Sequence, residues 1–401
     1  MMLFESIEIA GLLSFGWEAV RLPLGSLNVF IGPNASGKSN LFEVLRLLQA
    51  VPRDHHAVIR SGGGPLEWTH KRARAGSDLA HVEVVIADAP EPSLRYRLDL
   101  RAAELQMELV GEELATRDAL PPSDRPFPFF VAHEDRATVK RFGAGGTEHD
   151  GRFGVYRWTE IDPLHRGRSI LATLRDPLQY PQLTRVAERL QQIRMYQTTE
   201  LGPRAAVRRP QPADAPNHVL EADGSNLGLV LSRLRKTQHV RTRLRELLAL
   251  AYPEAEDVET VIEGGMVQVF LHESELDSAT PAARLSDGTL RWLWLLCLLL
   301  DPAPPALVCL EEPEIGLHPD LIPALVRLLR DAAERTQILV TTHSELLISE
   351  LTDVPEDVIV CERLEGSTHL RRLERAPLEH WLANYSLGHA WRAGELGGNR
   401  W

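Results

Sequence analysis

The stretch Gly32-Pro33-Asn34-Ala35-Ser36-Gly37-Lys38-Ser39 decides the fold, because it reads G-x-x-x-x-G-K-S. The apolar run Leu27-Asn28-Val29-Phe30-Ile31 precedes it and predicts a strand. The segment from Lys38 to Val51 follows it, with apolar residues at helical spacing. In that order, strand, glycine-rich loop and helix let the backbone curl around phosphate oxygens, with several N–H groups aimed inward at a helix N-terminus. Lys38 then supplies a point charge to the β- and γ-phosphates, and the Ser39 hydroxyl is a ligand for Mg²⁺. The predicted phosphate-contacting set is Gly32, Pro33, Asn34, Ala35, Ser36, Gly37, Lys38, Ser39 and Asn40. A chance glycine-rich turn would account for the glycines, but not for a complete motif between a strand and a helix.

Such a loop needs a carboxylate on a later strand, and Ala306-Leu307-Val308-Cys309-Leu310-Glu311-Glu312-Pro313-Glu314 supplies one. Glu311 ends the apolar run and is placed to hold Mg²⁺, directly or through water. Glu312 points elsewhere as the strand ends, and is placed to orient or deprotonate an attacking water. Glu314, beyond Pro313, reads as a supporting residue. Leu285-Ser286-Asp287-Gly288 comes about twenty residues before these carboxylates, at the start of an apolar helix. Ser286 and the Gly288 amide make an anion site at that helix start. The plain alternative is a helix cap formed by Ser286 or Asp287.

The rest of the 401 residues bounds the answer. A net charge of −12 argues against a surface that is basic all over, but not against a local basic groove. Cys297, Cys309 and Cys361 give no disulfide framework and no zinc spacing, which suits a reducing cytosol. The first residues lack a basic n-region, so no signal peptide is expected. Leu290 to Leu300 is too short to span a bilayer and reads as a buried helix. Residues 81–114 alternate as an antiparallel meander, and 118–165 read as turn-rich. Asp176 to Gln197 and Asn226 to Pro253 read as helical, and Val258 to Glu273 as a hairpin around Gly264-Gly265. Beyond Thr289, helices and strands alternate, which implies a parallel sheet covered on both faces.

These stretches together resemble the ABC-type ATPase heads of the SMC and RecF class. More narrowly, they resemble the stand-alone RecF-like predicted ATPases of bacteria, often grouped with AAA-type ATPases. The matching stretches are GPNASGKSN from Gly32, DGSNLGLVLSRLR from Asp223, LSDGTLR from Leu285, LEEPEIGLHPDL from Leu310, ILVTTHSELL from Ile338 and YSLGHAWRAGELGGNRW from Tyr385. The resemblance implies an α/β P-loop NTPase of ABC-ATPase head type, with a parallel core sheet, an antiparallel β-subdomain and a helical lobe. It implies one composite domain over 1–401 with a helical insertion at 166–255, and ATP and Mg²⁺ as cofactors. Ser286 and Gly288 would contact the γ-phosphate of ATP held by a second copy, giving an ATP-dependent head-to-tail homodimer. The loop EIGLHPD would cross that interface. His343 would sense the γ-phosphate, so the implied catalytic set is Glu312, His343 and Lys38, with Ser39 and Glu311 on the metal. Two positions depart or stay open. Glu311 stands where ABC heads usually have Asp, and Thr173 falls where relatives carry a Gln. The loop from Ser14 to Trp17 is expected near adenine.

No long coiled coil follows the phosphate loop, which excludes the arm of SMC proteins. Arg204, Arg208, Arg209, Arg233, Arg235, Lys236, Arg241, Arg243 and Arg245 gather in the expected lobe. They read equally as a phosphate-tracking surface for DNA and as a solvated face paired with carboxylates. His55 and His56 read as a surface loop rather than a metal site. The resemblance implies a cytoplasmic, Mg-dependent ATPase in a DNA-linked process such as repair. The alternative is a regulatory ATPase of a phage-defence system controlling a separately encoded nuclease. A third reading, a transporter ATPase subunit, finds no membrane partner in the chain.

Overall fold

Alternation along four short apolar strands divides the molecule into two cores. The computed structural model describes residues 2–72, 79–88, 90–103, 106–120, 124–133, 136–142, 148–150, 154–161, 167–197 and 201–397. Six strands form the central sheet in the order Ile193–Tyr196, Leu307–Glu311, Gln337–Thr341, Leu27–Ile31, Val358–Leu364, Ser367–Arg372. The first five run parallel, and the last is antiparallel to its neighbour. Every residue of Leu27–Ile31 and of Gln337–Thr341 is buried, as a parallel sheet covered on both faces requires.

Successive side chains on these strands take opposite faces. Val29, Val308, Ile338 and Val360 pack with the helices Asp287–Leu299 and Ile322–Ala333. Phe30, Cys309, Leu339 and Ile359 pack on the other side with the helix Lys38–Ala50 and the antiparallel sheet. The chain start is tied in by a buried amide. Gln337 Nε2 donates to the carbonyls of Phe4 and Gly25 at 2.7 and 2.9 Å, and its Oε1 accepts from the amides of Phe4 and Leu3 at 2.8 and 3.2 Å. Burial of an amide is tolerated because all four hydrogen-bond positions are filled.

The meander extends further than its alternation shows. A nine-stranded antiparallel sheet begins Val20–Pro23, Phe4–Ala10, Leu79–Ile86, Leu94–Ala102, Met107–Ala119. It continues through Pro126–His133, Arg136–Phe142, Gly154–Ile161 and Glu148–Asp150. The expectation of a turn-rich 118–165 is therefore corrected. Pro126 and Pro128 sit where the register between Met107–Ala119 and Pro126–His133 shifts, the kind of place a strand tolerates proline; Pro121, Pro122 and Pro163 lie outside the described residues. Phe129 and Tyr156 from these strands are fully buried.

The helical reading of Asp176 to Gln197 is also corrected. The helix is Pro181–Leu190, and the chain then turns into the edge strand Ile193–Tyr196 beside Leu307–Leu310. The stretch proposed as a helical insertion, 166–255, thus holds a strand of the central sheet as well as the helices Leu227–Leu234 and Gln238–Ala251; Arg166 itself lies outside the described residues. The hairpin is present as Ala255–Glu263 and Met266–Glu273, with positive φ at both Gly264 and Gly265 as a tight primed turn demands. The last residues of the matching tail, 398–401, lie outside the described residues. No helix among the described residues is long and apolar enough to cross a membrane.

Candidate active site

The sheet register brings three loops into a row. Glu311 pairs with Thr341, and Thr341 with Phe30, so the strands bearing the carboxylates, His343 and the phosphate loop end side by side. Ligands of open α/β sheets bind outside those carboxyl ends. The loop itself needs its glycines. A Cβ on Gly32 would stand 2.2 Å from the Cys361 carbonyl, and one on Gly37, whose φ is 106°, would stand 2.0 Å from Thr368 Oγ1. Thr368 Oγ1 donates to the Ser36 carbonyl at 2.9 Å and accepts from the Ser14 hydroxyl at 2.7 Å, and Asn40 Nδ2 donates to Ser14 Oγ at 2.7 Å. Thr368 and Ser14 thus support the loop from behind. The sequence carried no sign of Thr368, which lies on the antiparallel edge strand.

Lys38 is buried and donates to the carbonyls of Gly32 and Pro33 at 2.7 and 3.1 Å. Burial lowers its pKa, and the nearby Glu312 and Glu311 oppose that. Ser39 Oγ donates to Glu311 Oε1 at 3.0 Å, so the two residues predicted to share a metal meet across 272 positions of sequence. Glu312 follows with φ 45°, a left-handed conformation that a side chain adopts at a cost, fixed by its N–H donating to the Thr341 carbonyl at 2.9 Å. Its Oε1 lies 3.6 Å from His343 Nε2. Burial lowers the His343 pKa and Lys38 adds to that, while Glu312 opposes it. The net direction favours the neutral imidazole.

Glu314 turns away from the cleft and accepts from the Thr342 hydroxyl. Burial raises its pKa, and it is not among the residues that line the cleft described below. Behind it lies Arg291, a residue that no motif in the sequence marks. This guanidinium on the helix Asp287–Leu299 is buried, with its pKa lowered by burial and partly restored by the charge of Glu314.

A cleft of about 860 Å³ runs outward from Asn34 to Asn40 past Glu311, Glu312 and His343. Leu13, Ser14, His70, Arg72 and Arg363 also line it. Ser14, one of the residues expected near a base, is there; Trp17 is not part of the lining, and its indole donates to the Arg72 carbonyl at 2.7 Å. Thr173 sits on the short helix Ile170–Thr173, outside the cleft, with its hydroxyl donating to the Ile170 carbonyl at 3.1 Å. Ser286 and Gly288 are also outside it. Ser286 caps the helix Asp287–Leu299, its Oγ accepting from the Thr289 amide at 3.1 Å. Its Oγ also lies 2.8 Å from Thr289 Oγ1, and with Thr289 as the donor of that pair the Ser286 proton can still reach an anion, so capping and anion contact are compatible.

Three features of the cleft suit a nucleoside triphosphate with Mg²⁺. Ser36 Oγ is buried with no partner among the described residues, the loop takes positive φ at Gly32, Ala35 and Gly37, and Ser39 and Glu311 present two oxygens side by side. Among the described residues, no group of three or more His, Cys, Asp and Glu side chains is placed to hold a metal alone. A divalent ion here would complete its shell with phosphate and water oxygens. His55 and His56 stack at 4.3 Å, but they begin the helix His55–Ser61 and His55 is buried, so they are not the surface loop expected.

The basic lobe resolves toward pairing. Arg233 forks onto Asp301, Arg235 and Arg241 share Asp257, Arg243 meets Glu246, and Arg245 donates to the Glu256 carbonyl. Arg208 is tied to Asp287. Most of the cluster thus serves the lobe's own structure.

A sequence profile described as "AAA domain, putative AbiEii toxin, Type IV TA system" matches residues 27–349. No curated protein sequence matches the chain. Among solved structures, an SMC head bound to the C-winged helix domain of ScpA superposes with a TM-score of 0.58 at 11% identity, covering 94% of this chain and 99% of that one. An SMC head with an extended coiled coil bound to the C-terminal domain of ScpA, from Pyrococcus furiosus, gives 0.53 at 11% identity over 96% and 99%. An SMC head with a coiled coil and joint from Pyrococcus yayanosii gives 0.52 at 10% over 96% and 99%. At such identities these likenesses establish the fold, that of an SMC-type P-loop ATPase head.

Proposed function

The chain belongs to the AAA-domain family whose profile it matches, and from that membership and its SMC-type head fold we propose an ATP hydrolase in which ATP binding pairs two copies head to tail. The observation that carries the reading is the Ser39–Glu311 contact, with Glu312 and His343 beside it. Lys38 holds the β- and γ-phosphates as a fixed charge. Ser39 and Glu311 would hold Mg²⁺, which supplies neutralisation of the charge on those phosphates. Glu312, fixed at the strand end, orients the attacking water and takes its proton. Neutral His343 donates to a γ-phosphate oxygen. His70, Arg72 and Arg363, which line the same cleft, are the residues available to the nucleoside. Ser286 and Gly288 complete the site from the second copy.

The test uses Glu312→Gln, which keeps the shape and removes the base. Phosphate release should fall by about 10²–10⁴-fold while binding of a fluorescent ATP analogue persists. Light scattering should show the variant's mass doubling with ATP and Mg²⁺, and Ser286→Arg should abolish the doubling. A monomer at every ATP concentration sinks the pairing.

For the process served, the paired arginines leave the DNA-linked reading with only the likeness to SMC heads behind it. The family's description favours the second reading, a regulatory ATPase of a defence or toxin–antitoxin system acting on a separately encoded partner.

A further inference from the structure

Arg208 is the one member of the basic cluster whose contacts converge on the signature loop. It ends the short turn Ala206–Arg208, and its side chain is only 8% exposed. Its Nε donates to the Leu201 carbonyl at 2.8 Å. Its Nη1 donates to the carbonyls of Leu285 at 2.7 Å, Ala282 at 3.2 Å and, at longer range, Ala283 at 3.4 Å. Its Nη2 donates to Asp287. One planar fork thus gathers the carbonyls just before Ser286 and the carboxylate just after it. The ammonium of a lysine, a single point on a flexible stem, cannot span Leu201, Leu285 and Asp287 together.

The charge matters as much as the shape. Asp287 opens the helix Asp287–Leu299, where the macrodipole favours an anion. It is also adjacent to Ser286, so an unpaired carboxylate there would repel a phosphate approaching Ser286 and the Gly288 amide. Arg208 pairs with it and offsets part of that charge, the Asp287 side chain itself being 69% exposed. Gly288 is held from the other side, where a Cβ would stand 3.2 Å from the Gly316 carbonyl of the loop following Glu314.

We infer that Arg208 is the positioning residue of the signature loop, fixing Ser286 and Gly288 and masking Asp287 so that the loop can receive the γ-phosphate carried by a second copy of the chain. The inference rests on the head-to-tail pairing proposed above. It reaches past that reading to a residue that touches neither nucleotide nor metal, and it makes the segment 201–208 the element through which the pairing surface is set.

The experiment works in the Glu312→Gln background, with Arg208→Lys, Arg208→Gln, Asp287→Asn and the Arg208→Gln/Asp287→Asn pair. Two readouts are taken on each: light scattering with ATP and Mg²⁺, and amide hydrogen exchange over residues 282–290. Affinity for a fluorescent ATP analogue should stay within about two-fold of the parent, which also reports an intact fold. Arg208→Lys should raise the protein concentration for half-pairing at least about ten-fold, the loss expected when a charge-assisted contact is broken, and should speed exchange over 282–290. Arg208→Gln should pair worst, and adding Asp287→Asn should recover part of the loss. Pairing and exchange unchanged in Arg208→Lys would overturn the inference. Faster exchange with unchanged pairing would overturn it too. If the parent itself never pairs, the head-to-tail reading falls, and the exchange data alone decide whether Arg208 ties the loop.

Discussion

The phosphate-loop half of the site and the signature half differ in how far their residues travel to meet. Ser39 reaches Glu311 across 272 positions, and Thr368 reaches the Ser36 carbonyl across 332. Ser286 is fixed by Thr289, three residues on, and its longest tie is Arg208 through Asp287, 79 residues away. The first half is assembled by the central sheet and is as rigid as that sheet. The second is a local cap plus one guanidinium. A nucleotide site that must hold phosphates in one chain and receive a loop from another has reason to be built this way, with the holding part stiff and the docking part adjustable.

The comparison breaks if both halves act within one chain, and mixing two inactive variants tests that with the largest expected effect. Lys38→Ala removes the phosphate charge but keeps the signature loop, and Ser286→Arg does the reverse. Each alone should show no ATP turnover above background. In an equal mixture, half the pairs are mixed and each mixed pair holds one complete site, so about a quarter of the unmodified rate should return if the interface is two-fold. No recovery at concentrations where the unmodified chain pairs would place the signature loop's role elsewhere.

The stiffness of the first half is sharpened through Gln337. Replacing it by Leu leaves two amides and two carbonyls of Leu3, Phe4 and Gly25 without their buried partner. The expected cost is about 3 kcal/mol or more, read as a lowered denaturant midpoint. Binding of the ATP analogue should fall only in step with the fraction folded. Arg208→Lys, by contrast, should melt close to the parent while pairing poorly. A Gln337→Leu chain that melts like the parent would show that the chain start is not what braces the sheet.

What was legible in the sequence follows the same division. The phosphate loop, the carboxylates after an apolar strand and the cap at Ser286 are each defined by neighbours in sequence, and each lies where the motif places it. The pairing partners of the sheet were not legible. Ile193–Tyr196 is a four-residue edge strand with Arg194 and Met195 half-exposed, so its periodicity is too short to separate from the preceding helix. Pro126–His133 carries prolines that argue against a strand until a register shift explains them. Gln337, Thr368 and Arg208 are polar residues whose roles exist only through contacts hundreds or tens of positions away. The arginine run stayed open between two readings for a related reason: charge composition cannot show that Asp257 and Asp301 lie under it.

The smallest effect concerns the electrostatic unity of the first half. His343 has its pKa lowered by burial and by the Lys38 ammonium, and held up by Glu312. Proton NMR of the imidazole should therefore show a titration midpoint below the ordinary value of about 6.5. Lys38→Met removes a repulsive charge and should move that titration to higher pH. Glu312→Gln removes an attractive charge and should move it lower. The opposite signs are the point: a general loosening of the cleft would rehydrate the ring and raise the value in both variants. Were both variants to shift upward, Lys38, Glu312 and His343 would be neighbours in the cleft without acting as one charged unit, and the contrast with the signature half would rest on geometry alone.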